Sequence, residues 1–151
     1  MTKVFIDGSY GTTGLRIHQR LQSRTDLELI SIPYEERHSE LARRKAYEEA
    51  DFVFMCLPDA AAKEAVPMAE SCHTRVIDAS TAHRTAEGWV YGFPEISGAK
   101  AIEAAPLVAN PGCHASGVNA LIYPLIRNGI LSPAQKLQCF SLTGYSGGGK
   151  K

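Results

Sequence analysis

Cys113 follows Asn110-Pro111-Gly112 and precedes a stretch whose apolar positions, Val118, Leu121, Ile122 and Leu125, recur at helical spacing. A cysteine in the first turn of a helix lies where the dipole and the free N–H groups stabilise a thiolate. A thiolate is a competent nucleophile towards an activated acyl group, so Cys113 is the candidate catalytic residue. Cys56, in an apolar strand, reads as a buried structural cysteine, and Cys72 and Cys139 are read the same way. His114 is adjacent in sequence, but neighbours on a helix do not face each other, and it is not read as a general base. The dipeptides Cys72-His73 and Cys113-His114 lack the paired-cysteine spacing of a zinc site, so no metal is expected.

The second constellation is Gly8-Ser9-Tyr10-Gly11-Thr12-Thr13-Gly14, directly after an apolar strand and opening a helix. Glycines in that place give a tight turn and let backbone approach a pyrophosphate, whose charge meets the N–H groups of the helix N-terminus. The spacing G-x-x-G-x-x-G is generic by itself; its position between strand and helix makes all seven residues candidate cofactor contacts. The choice of nicotinamide cofactor rests on the end of the second strand, where NAD sites carry an acid and NADP sites a base. The run Ile32-Pro33-Tyr34 has no Asp, and Arg37 and His38 follow, which favours NADP. Glu35 and Glu36 keep NAD open, and either could instead pair with Arg37 as a surface ion pair.

These residues need a scaffold that presents turns at one edge, and strand-like runs alternating with helical patterns predict one. The reading is α/β, with a mostly parallel sheet and helices on both faces. Strands are predicted over Lys3–Asp7, Leu27–Ile32, Ala50–Leu57, Arg75–Ala79, Leu107–Ala109 and Leu137–Thr143. Helices are predicted from about Gly14 to Ser23, over Ser39–Glu49 with Ser39 as N-cap, over Ala60–Ser71 capped by Asp59, and over Cys113–Arg127. Pro67 should kink the third of these or mark its last turn. A long irregular stretch holding Trp89, Tyr91, Gly92, Phe93 and Pro94 separates two strands, and such loops are often functional.

Sixteen basic residues balance sixteen acidic ones, which leaves no electrostatic footprint for nucleic acid or an anionic membrane. Arg43-Arg44-Lys45 stands among Glu40, Glu48 and Glu49 and reads as the solvated face of a helix. No apolar run approaches the ~20 residues that span a bilayer. The first residues enter a strand at once, leaving no room for a signal peptide. Four cysteines in 151 residues make no disulfide framework, so a cytoplasmic location is expected. The sequence ends inside a glycine loop, Gly144 to Lys151, which reads as the end of a fragment or of one half of a processed protein.

Taken together, the Gly8–Gly14 loop, Asp78-Ala-Ser80-Thr-Ala-His-Arg84, Tyr91-Gly-Phe-Pro-Glu95, Asn110-Pro-Gly-Cys113 and Thr143-Gly-Tyr-Ser-Gly-Gly-Gly-Lys150 resemble the shorter type of N-acetyl-gamma-glutamyl-phosphate reductases. They resemble aspartate-semialdehyde dehydrogenases less closely. The resemblance implies an NADP-binding Rossmann-type domain over residues 1–112 and the start of a second α+β domain over 113–151, which supplies substrate contacts and dimer surface. It implies a homo-oligomer at full length, a small acyl phosphate as the reaction partner, and NADPH-dependent reduction of N-acetyl-glutamyl 5-phosphate through a Cys113 thioester in arginine biosynthesis. By the same resemblance Arg84 and Asn110 are substrate-binding, and Ser146, Gly147 and Gly148 lie near cofactor and substrate. Read from the residues alone, Arg84 is equally a structural partner of Asp78 or Glu87, and Ser80 is as much a support of its loop as a contact to cofactor. The family's catalytic histidine lies in a further domain's length of chain with no counterpart here.

Overall fold

The computed structural model describes residues 1–144 and divides into two compact units, Met1–Pro111 and Gly112–Lys151. The first unit is built on six strands: β1 Thr2–Asp7, β2 Leu27–Ile30, β3 Phe52–Met55, β4 Arg75–Asp78, β5 Val90–Tyr91 and β6 Leu107–Ala109. They form one sheet in the order β2-β1-β3-β4-β6-β5, and every pairing is parallel. Parallel strands covered on both faces read as continuous apolar runs, and Val4, Phe5 and Ile6 are buried in succession along β1.

The connecting helices are α1 Thr12–Leu21, α2 Glu40–Glu49, α3 Asp59–Ser71, and the short α4 Pro94–Ser97 and α5 Ala99–Ala104. The chain steps from β1 outward to β2, then back across β1 to β3 and on to β4. Right-handed crossovers therefore put α1 on one face of the sheet and α2 and α3 on the other. The core on that second face gathers Phe5, Tyr47, Val53, Met55 and Val76 with Ala65 and Ala69. The buried alanines 62, 65 and 69 recur at helical spacing, so α3 offers its smallest side chains to the sheet.

Several boundaries differ from expectation. β2 stops at Ile30 because the chain turns towards Pro33, which has no N–H to give a ladder. Ser39 does cap α2, accepting from the Ala42 N–H at 3.3 Å. Asp59, expected to cap α3, is instead its first residue, with Pro58 at the cap. Its carboxylate accepts from the Thr81 N–H at 2.9 Å and from the Thr81 hydroxyl, which pulls the Asp59 pKa down. Pro67 lies inside α3, which runs on to Ser71. The stretch expected to be irregular contains β5, α4 and α5, and β5 forms the sheet edge on β6.

Arg43 departs from the solvated-face reading. It donates to Asp7 Oδ2 at 2.7 Å, and the Tyr47 hydroxyl donates to the same oxygen at 2.8 Å. Burial alone would disfavour the Arg43 cation, but the Asp7 hydrogen bond and charge outweigh it and raise the pKa. Burial first, and then the Asp7 charge, push the Tyr47 phenol upward. Residues 43, 46, 47 and 50 fall on one helical stripe, which puts Arg43 at the edge of the buried face.

In the second unit, α6 spans Cys113–Arg127 as expected. Leu137–Thr143 is not a strand: 135–144 carry no regular structure, and Leu137, Phe140 and Leu142 are exposed. An apolar alternation becomes a strand only where a neighbour completes its hydrogen bonds, and none of the described residues pairs with it.

Replacing Tyr47 by Phe keeps the ring, which packs edge-on to Phe5 at 5.7 Å, and deletes one charged hydrogen bond to buried Asp7. The expected loss is about 1.5–3 kcal/mol, seen as a lower urea midpoint at unchanged slope.

Candidate functional site

The chain leaves β1 towards β2 and leaves β3 towards β4, so the two exits part at the carboxyl ends of β1 and β3, where α/β sheets bind ligands. Gly8 occupies that point with φ 86°, a left-handed conformation. A Cβ on Gly8 would stand 2.4 Å from the Cys56 carbonyl oxygen, so the turn packs backbone to backbone against the exit of β3. A Cβ on Gly14 would stand 2.3 Å from the Gly8 carbonyl oxygen, so α1 also closes on the turn. Gly11 is the N-cap of α1 and offers no side-chain cap, while its N–H donates to the Gly8 carbonyl at 3.0 Å. The first-turn N–H groups, carried by Thr12, Thr13 and Gly14, are those available to an anion. Ser9 completes the turn, and the ring of Tyr10 is exposed.

A groove of about 400 Å³ opens here, lined by residues 7–11, Ile32, Arg37, His38, Arg43 and the Cys56-Leu57-Pro58 turn. Arg37 donates to the Tyr34 carbonyl at 2.7 Å and lies 3.7 Å above the Tyr34 ring. That ring meets Tyr10 edge-on at 4.9 Å, and the Tyr10 hydroxyl donates to the Ile32 carbonyl at 3.1 Å. Among the described residues Arg37 pairs with neither Glu35 nor Glu36, and neither glutamate lines the groove. A cation and the glycine turn thus share one cleft. His38 lines the groove beside Arg37, as the sequence placed it; sequence reasoning missed Arg43 and the β3 exit. For Arg43 the helical stripe was the available signal, whereas Cys56-Leu57-Pro58 carried none, because strand order brings it to Gly8.

At the exit of β4, fully buried Asp78 accepts from the Ser80 N–H at 2.9 Å and, at 2.6 Å each, from the Ser80 hydroxyl and from Nδ1 of His83. The His83 ring stacks on Trp89 at 4.2 Å. Ser80 therefore supports the loop. Arg84 does not pair with Asp78, whose oxygens are taken by Ser80 and His83; its Nε donates to the Asn110 carbonyl at 3.1 Å. The Asn110 N–H donates to the Asp78 carbonyl at 2.8 Å, so Arg84 and β4 hold the Asn110 peptide from two sides. The Tyr91-Gly92-Phe93 motif closes on β6, with the Gly92 N–H donating to the Ala109 carbonyl at 2.8 Å.

In the second unit Cys113 is the first residue of α6 and exposed, with Gly112 as a cap that has no side chain. The Ser116 hydroxyl donates to the Gly112 carbonyl at 2.9 Å and steadies that first turn. Cys139, expected to be buried, is exposed, and among the described residues no strand pairs with the segment that carries it. Cys56 and Cys72 are partly buried; burial, with the charges of Asp7 and Asp78 adding, pushes the Cys56 thiol up to about 12. Ser146, Gly147 and Gly148 lie outside the described residues.

Fold and glycine turn together define a dinucleotide-binding α/β class of protein. The chain belongs to the semialdehyde dehydrogenase family: residues 3–105 match the model of its NAD binding domain. It is 51% identical over 150 residues to an N-acetyl-gamma-glutamyl-phosphate reductase of Chelativorans sp., covering 98% of this chain and 48% of that protein. It is 49% identical over 149 residues to N-acetyl-gamma-glutamyl-phosphate reductase 2 of Pseudomonas putida, covering 97% of this chain and 48% of that one. The chain thus spans about half the length of the curated relatives it matches. Among solved structures, aspartate semialdehyde dehydrogenase of Francisella tularensis shares its fold with a TM-score of 0.62 at 15% identity, over 85% of this chain and 42% of that one. The Candida albicans enzyme, solved with NADP, gives 0.61 at 17% identity, over 84% and 47%.

Replacing Gly14 by Ala forces a methyl group into the Gly8 carbonyl. The expected outcome is a loss of about 1–3 kcal/mol in urea unfolding, with nucleotide binding weakened as the turn opens.

Proposed function

We propose that this chain is the cofactor-binding and acyl-accepting part of an NADPH-dependent N-acetyl-gamma-glutamyl-phosphate reductase of arginine biosynthesis. The observation that carries this reading is an exposed cysteine opening α6, in a chain about half identical to proteins of that name. The Cys113 thiolate attacks the carbonyl of N-acetyl-glutamyl 5-phosphate, phosphate leaves, and a thioester remains on the sulfur. The backbone N–H groups of the first turn of α6 receive the oxygen charge that develops in that attack. When bound, a nicotinamide would supply the hydride; the C–S bond then breaks, the aldehyde is released and the Cys113 thiolate is regenerated.

The glycine turn fits the pyrophosphate of such a cofactor, since side chains at Gly8 or Gly14 would collide with backbone where the phosphates approach. Arg37 and His38 line the same groove and suit a 2′-phosphate, which supports NADP over NAD. Arg84 keeps its Asn110 contact through Nε, and its two terminal nitrogens suit an anionic group of the substrate. Asn110, whose peptide is held by the Asp78 carbonyl and by Arg84, is the second candidate contact for the substrate.

Incubation of the chain with the acyl phosphate should give a covalent adduct on Cys113, read by mass spectrometry of the digested protein. In Cys113→Ser that adduct disappears, and phosphate-dependent reduction of NADP by the semialdehyde falls by at least about 10³-fold in the full-length context. An undiminished rate in that variant overturns the nucleophile. Nucleotide binding with no adduct would leave a cofactor-binding module. Arg37→Ala should weaken NADPH about tenfold in a fluorescence titration and leave NADH unchanged; equal loss for both would return the preference to neither cofactor.

A further inference from the structure

The second unit carries two of the chain's four cysteines, and both open on one groove. Cys113 and Cys139 are exposed, unpaired, and line a cleft of about 510 Å³ together with His114, Gly117 and Phe140. A hydrogen bond between Nδ1 of His114 and the Ser141 hydroxyl ties the first turn of α6 to the segment two residues beyond Cys139. The Cys139 sulfur meets only the Phe140 carbonyl, at 3.9 Å, among the described residues. Residues 135–144 make no helix, strand or turn, so little regular structure holds Cys139 back from the approach to Cys113 that a disulfide's geometry demands. No group of three or more His, Cys, Asp or Glu side chains that could hold a metal ion gathers among the described residues.

We propose that Cys113 and Cys139 form a redox pair in which Cys139 resolves oxidation of Cys113 into a reversible disulfide. The co-reactant is a peroxide. The Cys113 thiolate attacks one peroxide oxygen, an S–O bond forms, the O–O bond breaks, and the alkoxide or hydroxide released takes a proton from water. The sulfur, two electrons poorer, is now a sulfenic acid. Cys139 gives its proton to solvent and its thiolate attacks the sulfenic sulfur; an S–S bond forms, the S–O bond breaks, and the hydroxide released takes a proton from solvent and leaves as water. In sum, two thiols and one peroxide give a disulfide, water, and the alcohol or a second water. Tethering through Ser141 keeps the resolving thiol at high effective concentration, so resolution outruns a second oxidation to the irreversible sulfinic acid. The proposal shares with the functional reading only the nucleophilic character of Cys113, and it needs no acyl phosphate.

The test treats the reduced chain with one equivalent of hydrogen peroxide, alkylates the remaining thiols and maps the digest by mass spectrometry. The expected product is a Cys113–Cys139 cross-linked peptide within one chain, lighter by two hydrogens and reopened by dithiothreitol, with Cys56 and Cys72 alkylated. Cys139→Ser alters an exposed side chain, and there Cys113 should stay a sulfenic acid, trapped by dimedone. With excess peroxide that variant should reach the Cys113 sulfinic acid about tenfold faster than the native chain. A native chain in which Cys113 oxidises while Cys139 remains a free thiol overturns the pair, as does a disulfide found only between two chains. Adduct formation with the acyl phosphate is a separate readout, so either proposal can fall without the other.

Discussion

Three stretches of main chain meet at the carboxyl ends of β1 and β3 with no room for a side chain between them. Gly8 lies against the Cys56 carbonyl, and Gly14 against Gly8 itself. Because the strand order reverses there, the exit of β1 and the exit of β3 part and leave a cleft, and backbone contact keeps its floor shallow. Moving the turn outward by one methyl group would separate α1 from β1 and turn its free N–H groups away from the cleft. The groove, the placement of Arg37 at its rim and the exposure of the first turn of α1 all follow from that close approach.

Two buried carboxylates stabilise strand ends of the sheet, and one of them, Asp7, lines this cleft. Asp7 ends β1 and takes hydrogen bonds from Arg43 and Tyr47 on α2; Asp78 ends β4 and takes them from Ser80 and His83 of the following loop. An ionised carboxylate buried without partners would be costly, so each makes its donors obligatory and thereby orders the element that carries them. Asp7 locks α2 over the core face. Asp78 orders the loop from which Arg84 reaches the Asn110 carbonyl. Arg43, which lines the cleft, is thus structural as much as chemical, and Ser80 and His83 look like site residues while ordering the loop after β4.

Periodicity made the α/β alternation legible, and the glycine spacing marked the turn. Ser39 at the start of α2 and Cys113 at the start of α6 were legible too, since capping and helical repeat are local properties. Asp59 was misread because its competing partner, Thr81, stands 22 residues away in sequence. β5 escaped notice because a two-residue strand has no period of its own and exists only through its pairing with β6. Leu137–Thr143 shows the converse, an alternating run that no neighbour among the described residues turns into a strand.

What the residue order determined by itself was therefore the set of local choices: which runs extend, which coil, where a turn needs glycine, and where a cysteine begins a helix. These depend on interactions within about one helical turn or across one pleat, and a linear reading contains them. Strand order was decided only by the tertiary structure. It brought Cys56 to Gly8, Arg43 to Asp7 and Asn110 to Arg84, pairs separated by tens of residues whose meeting depends on packing the whole sheet. Chemistry-bearing side chains announce themselves by type and spacing, but the partners that hold them in place are chosen by the fold.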